Sequence, residues 1–249
     1  MLYSLNIVVD MRTARFFVPS DWIAQSAQAF SIPAGPMHKQ IVSVLRMRAG
    51  DHISLCPNDG TEIDCEITEI TKAAILGAIV RSRMGEPLRP SITVCAAITK
   101  RDTFEWTLQK CTEIGATAFI PMITDRVIKK TKDVPARWMD ILREASEQSG
   151  RTMLPVIHDP SSLKSALEQT GKCDRIVLHE SVGKAASMPK VRMMDHIALF
   201  VGPEGGFSDA EIEELQSAGS TVVQIGDLVM RAETAATVGT ALIRFSAVS

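Results

Sequence analysis

The sequence predicts a two-domain α/β protein, in which a small β-rich part precedes a mainly parallel sheet covered by helices on both faces. Three observations lead there. From Arg15 to Val80, short β-rich runs alternate with turn signals. From Arg81 to Pro90 the chain becomes polar and carries Gly85, Pro87 and Pro90, a helix-hostile stretch suited to a boundary. From Ile92 onward strand-like runs alternate with helix-like ones, the pattern of βα units whose strands pair in parallel. The expected domains are residues 1–85, a small β-barrel, and residues 90–249, the α/β part.

In the first part the expected strands are Phe16 to Val18, His52 to Cys56, Glu62 to Ile70 and Ala73 to Val80, with turns at Gly50-Asp51 and Asn58-Asp59-Gly60. Met37 to Met47 carries Ile41, Val44 and Leu45 at helical spacing and is expected to pack as a helix against the barrel. In the second part Ile92 to Ile98, Ala118 to Pro121, Arg175 to His179, His196 to Val201 and Thr221 to Ile225 read as strands. Arg101 to Gly115 and Pro135 to Ser149 read as helices. Ser208 with Glu211 has the Ser-x-x-Glu spacing that satisfies free N–H groups at a helix start. Ala232 to Phe245 reads as a final helix whose small residues allow close backbone approach.

The chain has 249 residues, 45% of them hydrophobic, which is ample for packed cores. No apolar run approaches the ~20 residues of a bilayer span, and no signal-like segment opens the sequence, so a cytoplasmic location is expected. The five cysteines, Cys56, Cys65, Cys95, Cys111 and Cys173, include no Cys-x-x-Cys pair and read as reduced core residues rather than a disulfide frame or zinc site. A net charge of −2 does not advertise a nucleic-acid binder, but basic residues cluster locally. Arg126, Lys129, Lys130, Lys132 and Arg137 crowd one loop-like region, and Arg81, Arg83 and Arg89 line the boundary. Each cluster is either a solvated surface or a phosphate contact.

Two glycine-bearing loops, Gly202-Pro203-Glu204-Gly205-Gly206 and Gly226 to Ala235, each follow a strand-like run and precede a helix-like one. Ligands of open parallel sheets bind at the carboxyl ends of the strands, so these loops are the candidate walls of a small-molecule pocket. Glycine's tolerance of positive φ would by itself account for such turns. Neither Gly-x-Gly-x-x-Gly nor Gly-Lys-Ser/Thr opens a helix here, which argues against a dinucleotide or a nucleoside triphosphate.

The run Gly202 to Ile212 (GPEGGFSDAEI) followed by Ile225 to Ala235 (IGDLVMRAETA) resembles the paired signature of the RsmE family, SPOUT-class methyltransferases acting on N3 of a uridine in 16S ribosomal RNA. Supporting segments occur in the same order: Arg15-Phe16-Phe17-Val18, Val44-Leu45-Arg46 with Gly50-Asp51, and Lys100-Arg101. Gln109-Lys110 with Glu113-Ile114-Gly115, then Pro121 and Arg126, and then Glu144-Ala145, Gln148, Arg151 and Pro155 complete the series. Met11 resembles a family start, which makes the first ten residues an upstream extension. The chain departs from the family pattern at Leu228, where an arginine is usual, while Arg231 is retained. The resemblance implies a PUA-like barrel that helps to hold RNA, a SPOUT domain with a deep trefoil knot, S-adenosylmethionine as cofactor and a homodimer. The implied partner is 16S ribosomal RNA within the small ribosomal subunit or its precursor; no membrane is involved.

On this reading Arg231 stabilises charge on the uracil oxygens as N3 loses its proton, and Glu204 is the second catalytic candidate. The donor pocket is expected to use Leu178, His179, Glu180, Gly202, Pro203, Glu204, Gly205, Gly206, Ile225, Gly226, Leu228, Met230, Thr234 and Ala235. The RNA contacts are expected at Arg15, Arg46, Lys100, Arg101, Arg126, Lys129, Lys130, Lys132, Gln148 and Arg151. A local salt bridge from Arg231 to Glu233 or Glu204 is the competing role for that arginine. His179 is either a structural residue or a proton carrier. Glu144 and Gln148 share a helix face with Arg151 just beyond, a polar strip open to RNA, to a second subunit or to solvent. Alternatives for the whole chain are a ribose 2′-O-methyltransferase of the same class and a non-catalytic RNA-binding assembly protein.

Overall fold

The computed structural model describes residues 13–127, 131, 133–180, 189–192 and 195–246. The proposed N-terminal extension and Lys129, Lys130 and Lys132 lie outside the described residues. The chain divides into two compact units: the described residues up to Pro87 with Ser146–Met153, and Leu88–Ala145 with the described residues from Leu154 on.

In the first unit β1 (Ala14–Phe17), β2 (Ile23–Ala24), β3 (Ala29–Pro33), β4 (His52–Cys56), β5 (Thr61–Ile70) and β6 (Ala74–Met84) form one sheet in the order β1-β4-β5-β6-β3-β2. Only β1 and β4 run parallel. Among the described residues no ladder joins β1 to β2, so the hydrogen-bonded path keeps two ends. Phe16, Phe30, Ile32, Ile41, Ile53, Leu55, Ile63, Ile67 and Ile75 share one core. Close packing of β6 depends on Gly77, where a Cβ would collide with the Phe30 ring and the Glu66 carbonyl. β2 and β3 have no counterpart in the sequence reading, because β3 offers only Phe30 and Ile32 as inward residues between Ser31 and Pro33.

Two expectations change here. The helix expected over Met37 to Met47 is one α-turn, α1 (Pro36–Lys39), followed by a π-turn over Gln40–Val44. Wider winding moves later residues off the 3.6-residue face: Ile41 is fully buried, but Val44 is 70% exposed. The boundary expected from Arg81 is strand as far as Met84, because its arginines have cross-strand partners. Arg81 pairs with Asp64 at 2.7 Å and Arg83 with Glu62 at 2.7 Å. Glu62 also receives Arg15. Burial pushes the Glu62 carboxyl up, but the hydrogen bonds and charges of Arg15 and Arg83 outweigh it and hold the group below its ordinary value.

The segment Ser146–Met153, drawn from the stretch expected to belong to the second domain, groups with the first unit. Glu147 accepts from the Phe17 N–H at 3.1 Å, and Arg151 Nε donates to the Met153 carbonyl at 3.1 Å. Contacts made from Glu147, 130 residues along the chain, leave no periodic trace in sequence.

In the second unit β7 (Ser91–Ala97), β8 (Ala118–Ile123), β9 (Val156–Ile157), β10 (Ser161–Ser162), β11 (Asp174–Leu178), β12 (His196–Val201) and β13 (Thr221–Val223) form a sheet. Its order is β10-β8-β7-β12-β11-β13, with β9 also on β8, and every ladder is parallel. The helices are α2 (Arg101–Ile114), α3 (Ala136–Gln148, from Ser146 on grouped with the first unit), α4 (Leu163–Thr170), α5 (Asp209–Ser217) and α6 (Ala232–Ser246). Strand side chains alternate between two cores. Ile176, Leu178, Ile197, Leu199 and Val201 join residues of α2, α3 and α6, whereas Val177, Ala198 and Phe200 join residues of α4 and α5. A Cβ at Gly239 would lie 2.8 Å from Leu178 Cδ1, so α6 approaches the sheet as closely as a glycine allows. The α2 C-terminus ends on Gly115 in the left-handed conformation, and its carbonyl accepts from the half-buried Arg244 guanidinium of α6. Among the described residues no helix is long and apolar enough to cross a membrane. Cys56, Cys65, Cys95 and Cys111 are buried free thiols; burial pushes Cys56, Cys65 and Cys111 up to about 12, which keeps them protonated.

Candidate active site

Because every ladder of the second sheet is parallel, the carboxyl ends of β7, β11, β12 and β13 open on one edge. A cavity of about 560 Å³ lies there, within the usual range for small-molecule sites. Of the residues expected to bind a donor, Leu178, His179, Glu180, Gly202, Pro203, Glu204, Gly206, Ile225, Leu228, Met230 and Ala235 line it. Arg231 and Lys100 line it as well, whereas Gly205, Gly226 and Thr234 are not among the lining residues. Val229, within the expected loop, also faces the cavity, as do Thr103, Val201, Val223, Gln224, Ala232 and Glu233, which the sequence reading did not assign to donor binding. Most of these adjoin the two loops and were within reach of the pattern; Thr103, on the first turn of α2, carries no local signal.

The loop after β12 is held throughout. Gly206, at φ +68°, donates its N–H to the Pro203 carbonyl at 2.9 Å, which closes the turn. A Cβ on Gly202 would stand 3.1 Å from the backbone of Gly206 and Phe207, so the two ends of the turn meet there. Beyond it the expected capping box is formed: Glu211 N–H donates to Ser208 Oγ at 3.3 Å, and Ser208 N–H donates to Glu211 Oε2 at 2.8 Å. The other Glu211 oxygen accepts from the Asp125 N–H at 2.9 Å, and Ser208 Oγ donates to Asp125 Oδ2 at 2.8 Å. Arg126 Nη1 donates to the Gly205 carbonyl.

The loop after β13 has fewer ties. Gln224 Nε2 donates to the Gly226 carbonyl at 3.2 Å, and the Ala235 N–H reaches the Arg231 carbonyl at 2.8 Å as α6 begins. Gly226 has φ +68° with open space where a Cβ would stand. Leu228 and Val229 are 83% and 74% exposed at the cavity mouth. The Arg231 side chain is exposed and has no hydrogen-bond or ion-pair partner among the described residues, so neither Glu233 nor Glu204 holds it. Glu204 Oε1 instead accepts from the Lys100 N–H, at a long 3.5 Å.

Among the described residues the expected RNA contacts separate into three groups. Arg15, with a side chain 10% exposed and engaged by Glu62, and Arg151, 9% exposed with Nε donating to the Met153 carbonyl, are largely buried, which speaks against the RNA contacts expected of them. Arg46, Lys100 and Gln148 are exposed, as is Arg101, which pairs with Glu105 at 2.9 Å. Arg126 is exposed but already employed at Gly205. The polar strip also shortens: Glu144 is exposed and lies 3.6 Å from Arg137, but Arg151 is buried.

A family model described as an RNA methyltransferase domain matches residues 86–244, and one described as an RNA methyltransferase PUA domain matches residues 41–80. The ribosomal RNA small subunit methyltransferase E of Bacillus subtilis is 32% identical over 228 residues, 85% of this chain and 88% of that protein. The Synechocystis protein of the same name is 31% identical over 206 residues, 80% of this chain and 68% of that one. In a crystal structure the Neisseria gonorrhoeae methyltransferase E, bound to S-adenosylmethionine, superposes with a TM-score of 0.82 at 27% identity over 94% of this chain and 97% of that one. Matches of this length across both units, with the cavity walls built by the paired glycine loops, mean that the chain belongs to the ribosomal RNA small subunit methyltransferase E family of RNA methyltransferases.

Proposed function

We propose that this chain transfers a methyl group from S-adenosylmethionine to N3 of one uridine in 16S ribosomal RNA, within the small ribosomal subunit or its precursor. The cavity suits such a donor. Leu178, Ile225, Leu228 and Met230 offer apolar cover for the two faces of an adenine ring, and the loop backbones offer N–H and C=O groups to its edge. A bound sulfonium donor supplies a methyl group that is already activated, so the protein has little covalent work to do.

What remains is the acceptor. Uracil N3–H is a weak acid, and methylation there requires loss of its proton and stabilisation of the charge that spreads to the adjoining carbonyls. The observation that carries the reading is Arg231, a guanidinium in the wall of a cavity lined by both apolar and polar groups, whose side chain has no partner among the described residues. Its planar donors can address a carbonyl oxygen that becomes negative during transfer. Glu204 stands in the same wall. In this reading the first unit helps to hold the RNA, the protein acts as a homodimer, and the second unit carries the trefoil knot that the resemblance implies.

Mass-spectrometric mapping of 16S RNA from cells lacking the protein tests the reading. One 3-methyluridine should disappear, and purified protein with S-adenosylmethionine should restore it on subunits from those cells. Loss of a 2′-O-methyl group would make the chain a ribose methyltransferase instead, and an unchanged modification map would remove the activity.

A further inference from the structure

The Gly205-Gly206 peptide is the part of the donor loop freest to rotate, because neither flanking residue has a Cβ and Gly206 sits at φ +68°. It is held at both ends. On one side the Gly206 N–H donates to Pro203; on the other the Gly205 carbonyl accepts from Arg126. A peptide unit is planar, so fixing its carbonyl fixes its N–H as well. Glu204 and Gly206 line the cavity while Gly205 does not, which places the Arg126 contact behind the wall and not in it. The arginine is itself anchored: its neighbour Asp125 is bound to Ser208 at 2.8 Å and to Glu211 at 2.9 Å.

We infer that Arg126 is a positioning residue for methyl-donor binding, which keeps the Gly205-Gly206 peptide in the orientation that shapes the cavity wall, rather than a contact to RNA phosphate. The inference rests on the assignment of the cavity to S-adenosylmethionine. The wall is then organised before the ligand arrives, so the cost of ordering a diglycine turn is not subtracted from affinity. Gly205 itself belongs to the device. A Cβ there would lie 3.3 Å from Arg126 Cδ, so a side chain at Gly205 crowds the arginine that holds its carbonyl.

The test measures S-adenosylmethionine affinity by calorimetry on the full-length parent, Arg126→Ala, Arg126→Lys, Gly205→Ala and the double variant Arg126→Ala/Gly205→Ala. The same preparations give the single-turnover rate at saturating donor, the salt slope of RNA binding and the melting temperature. Arg126→Ala should weaken donor binding about tenfold, in line with loss of a charge-assisted hydrogen bond, with single-turnover methylation at saturating donor within about threefold of the parent. Arg126→Lys should recover part of the affinity, and the double variant should be no worse than the poorer single one. The salt slope of RNA binding should not change. Parent-like donor affinity in Arg126→Ala overturns the inference, whether accompanied by a shallower salt slope, which would return the arginine to the phosphates, or by a lower melting temperature alone. Should Arg126→Ala not fold, Arg126→Lys and Gly205→Ala decide: parent-like affinity in both overturns the inference, and weakened affinity in both supports it. A parent that binds no S-adenosylmethionine overturns the proposed function, and this inference with it.

Discussion

The loop after β12 and the loop after β13 wall the same cavity, yet the first is bound to its surroundings along its length and the second mainly at its ends. Residues 202–211 engage Pro203, Asp125, Arg126 and their own capping box, whereas residues 226–231 have ties at Gly226 and Arg231 and leave Leu228 and Val229 more than 70% exposed. The difference matches two tasks. A loop that shapes a donor site gains from being ordered in advance, because ordering on binding lowers affinity. In the proposed function the second loop also lends Leu228 and Met230 to the donor, but it leaves Arg231 uncommitted until the acceptor arrives.

Arg231→Lys is the strongest way to test this division. It should fold and bind S-adenosylmethionine within about twofold of the parent, yet methylate roughly 10²-fold more slowly in single turnover, the loss typical of removing one preorganised donor. A near-parent rate would take Arg231 out of catalysis. Gly202→Val attacks the other loop. Its side chain has no room against the Gly206 and Phe207 backbone, and donor affinity by calorimetry should fall by about tenfold or more while the sheet core still folds.

Ser208→Ala removes the cap and the bond to Asp125 together, and a thermal melt should show a loss of about 1–2 kcal/mol. An unchanged melt would mean that the first loop does not need its clamp. The smallest effect is expected at Gly226→Asn, because asparagine tolerates the left-handed conformation and nothing stands within 4 Å of the new Cβ. Stability should change by less than about 1 kcal/mol, with donor affinity near that of the parent. A large loss there would show that the second loop is as constrained as the first, and the contrast between them would disappear.

The strand–loop–helix succession of the second unit was legible because it is written in local patterns. His196–Val201 alternates between two cores, Ser208 and Glu211 stand three apart, and small residues crowd α6. The shorter elements were not legible: β9 and β10 have two residues each, too few to show a period. The division after Pro87 falls inside the expected boundary stretch, but residues 81–84 of that stretch are strand; charged residues in a strand look like linker until their partners are known. Arg83 and Arg15 meet the same carboxylate, Glu62, from positions 21 and 47 residues away.

By itself the sequence determined the periodicities that sort residues between core and surface, the residue types at the two turns, and a family signature that specifies where a donor site should be. Those properties depend on neighbours a few positions apart. Only the tertiary structure decided the use of each charged group: Arg15 and Arg151 turned inward, Arg126 reached the Gly205 carbonyl 79 residues away, and Arg231 remained available at the cavity. The physical reason is that an arginine has the same donors and charge wherever it occurs, and its partner is whichever acceptor the folded chain brings within about 3 Å of it.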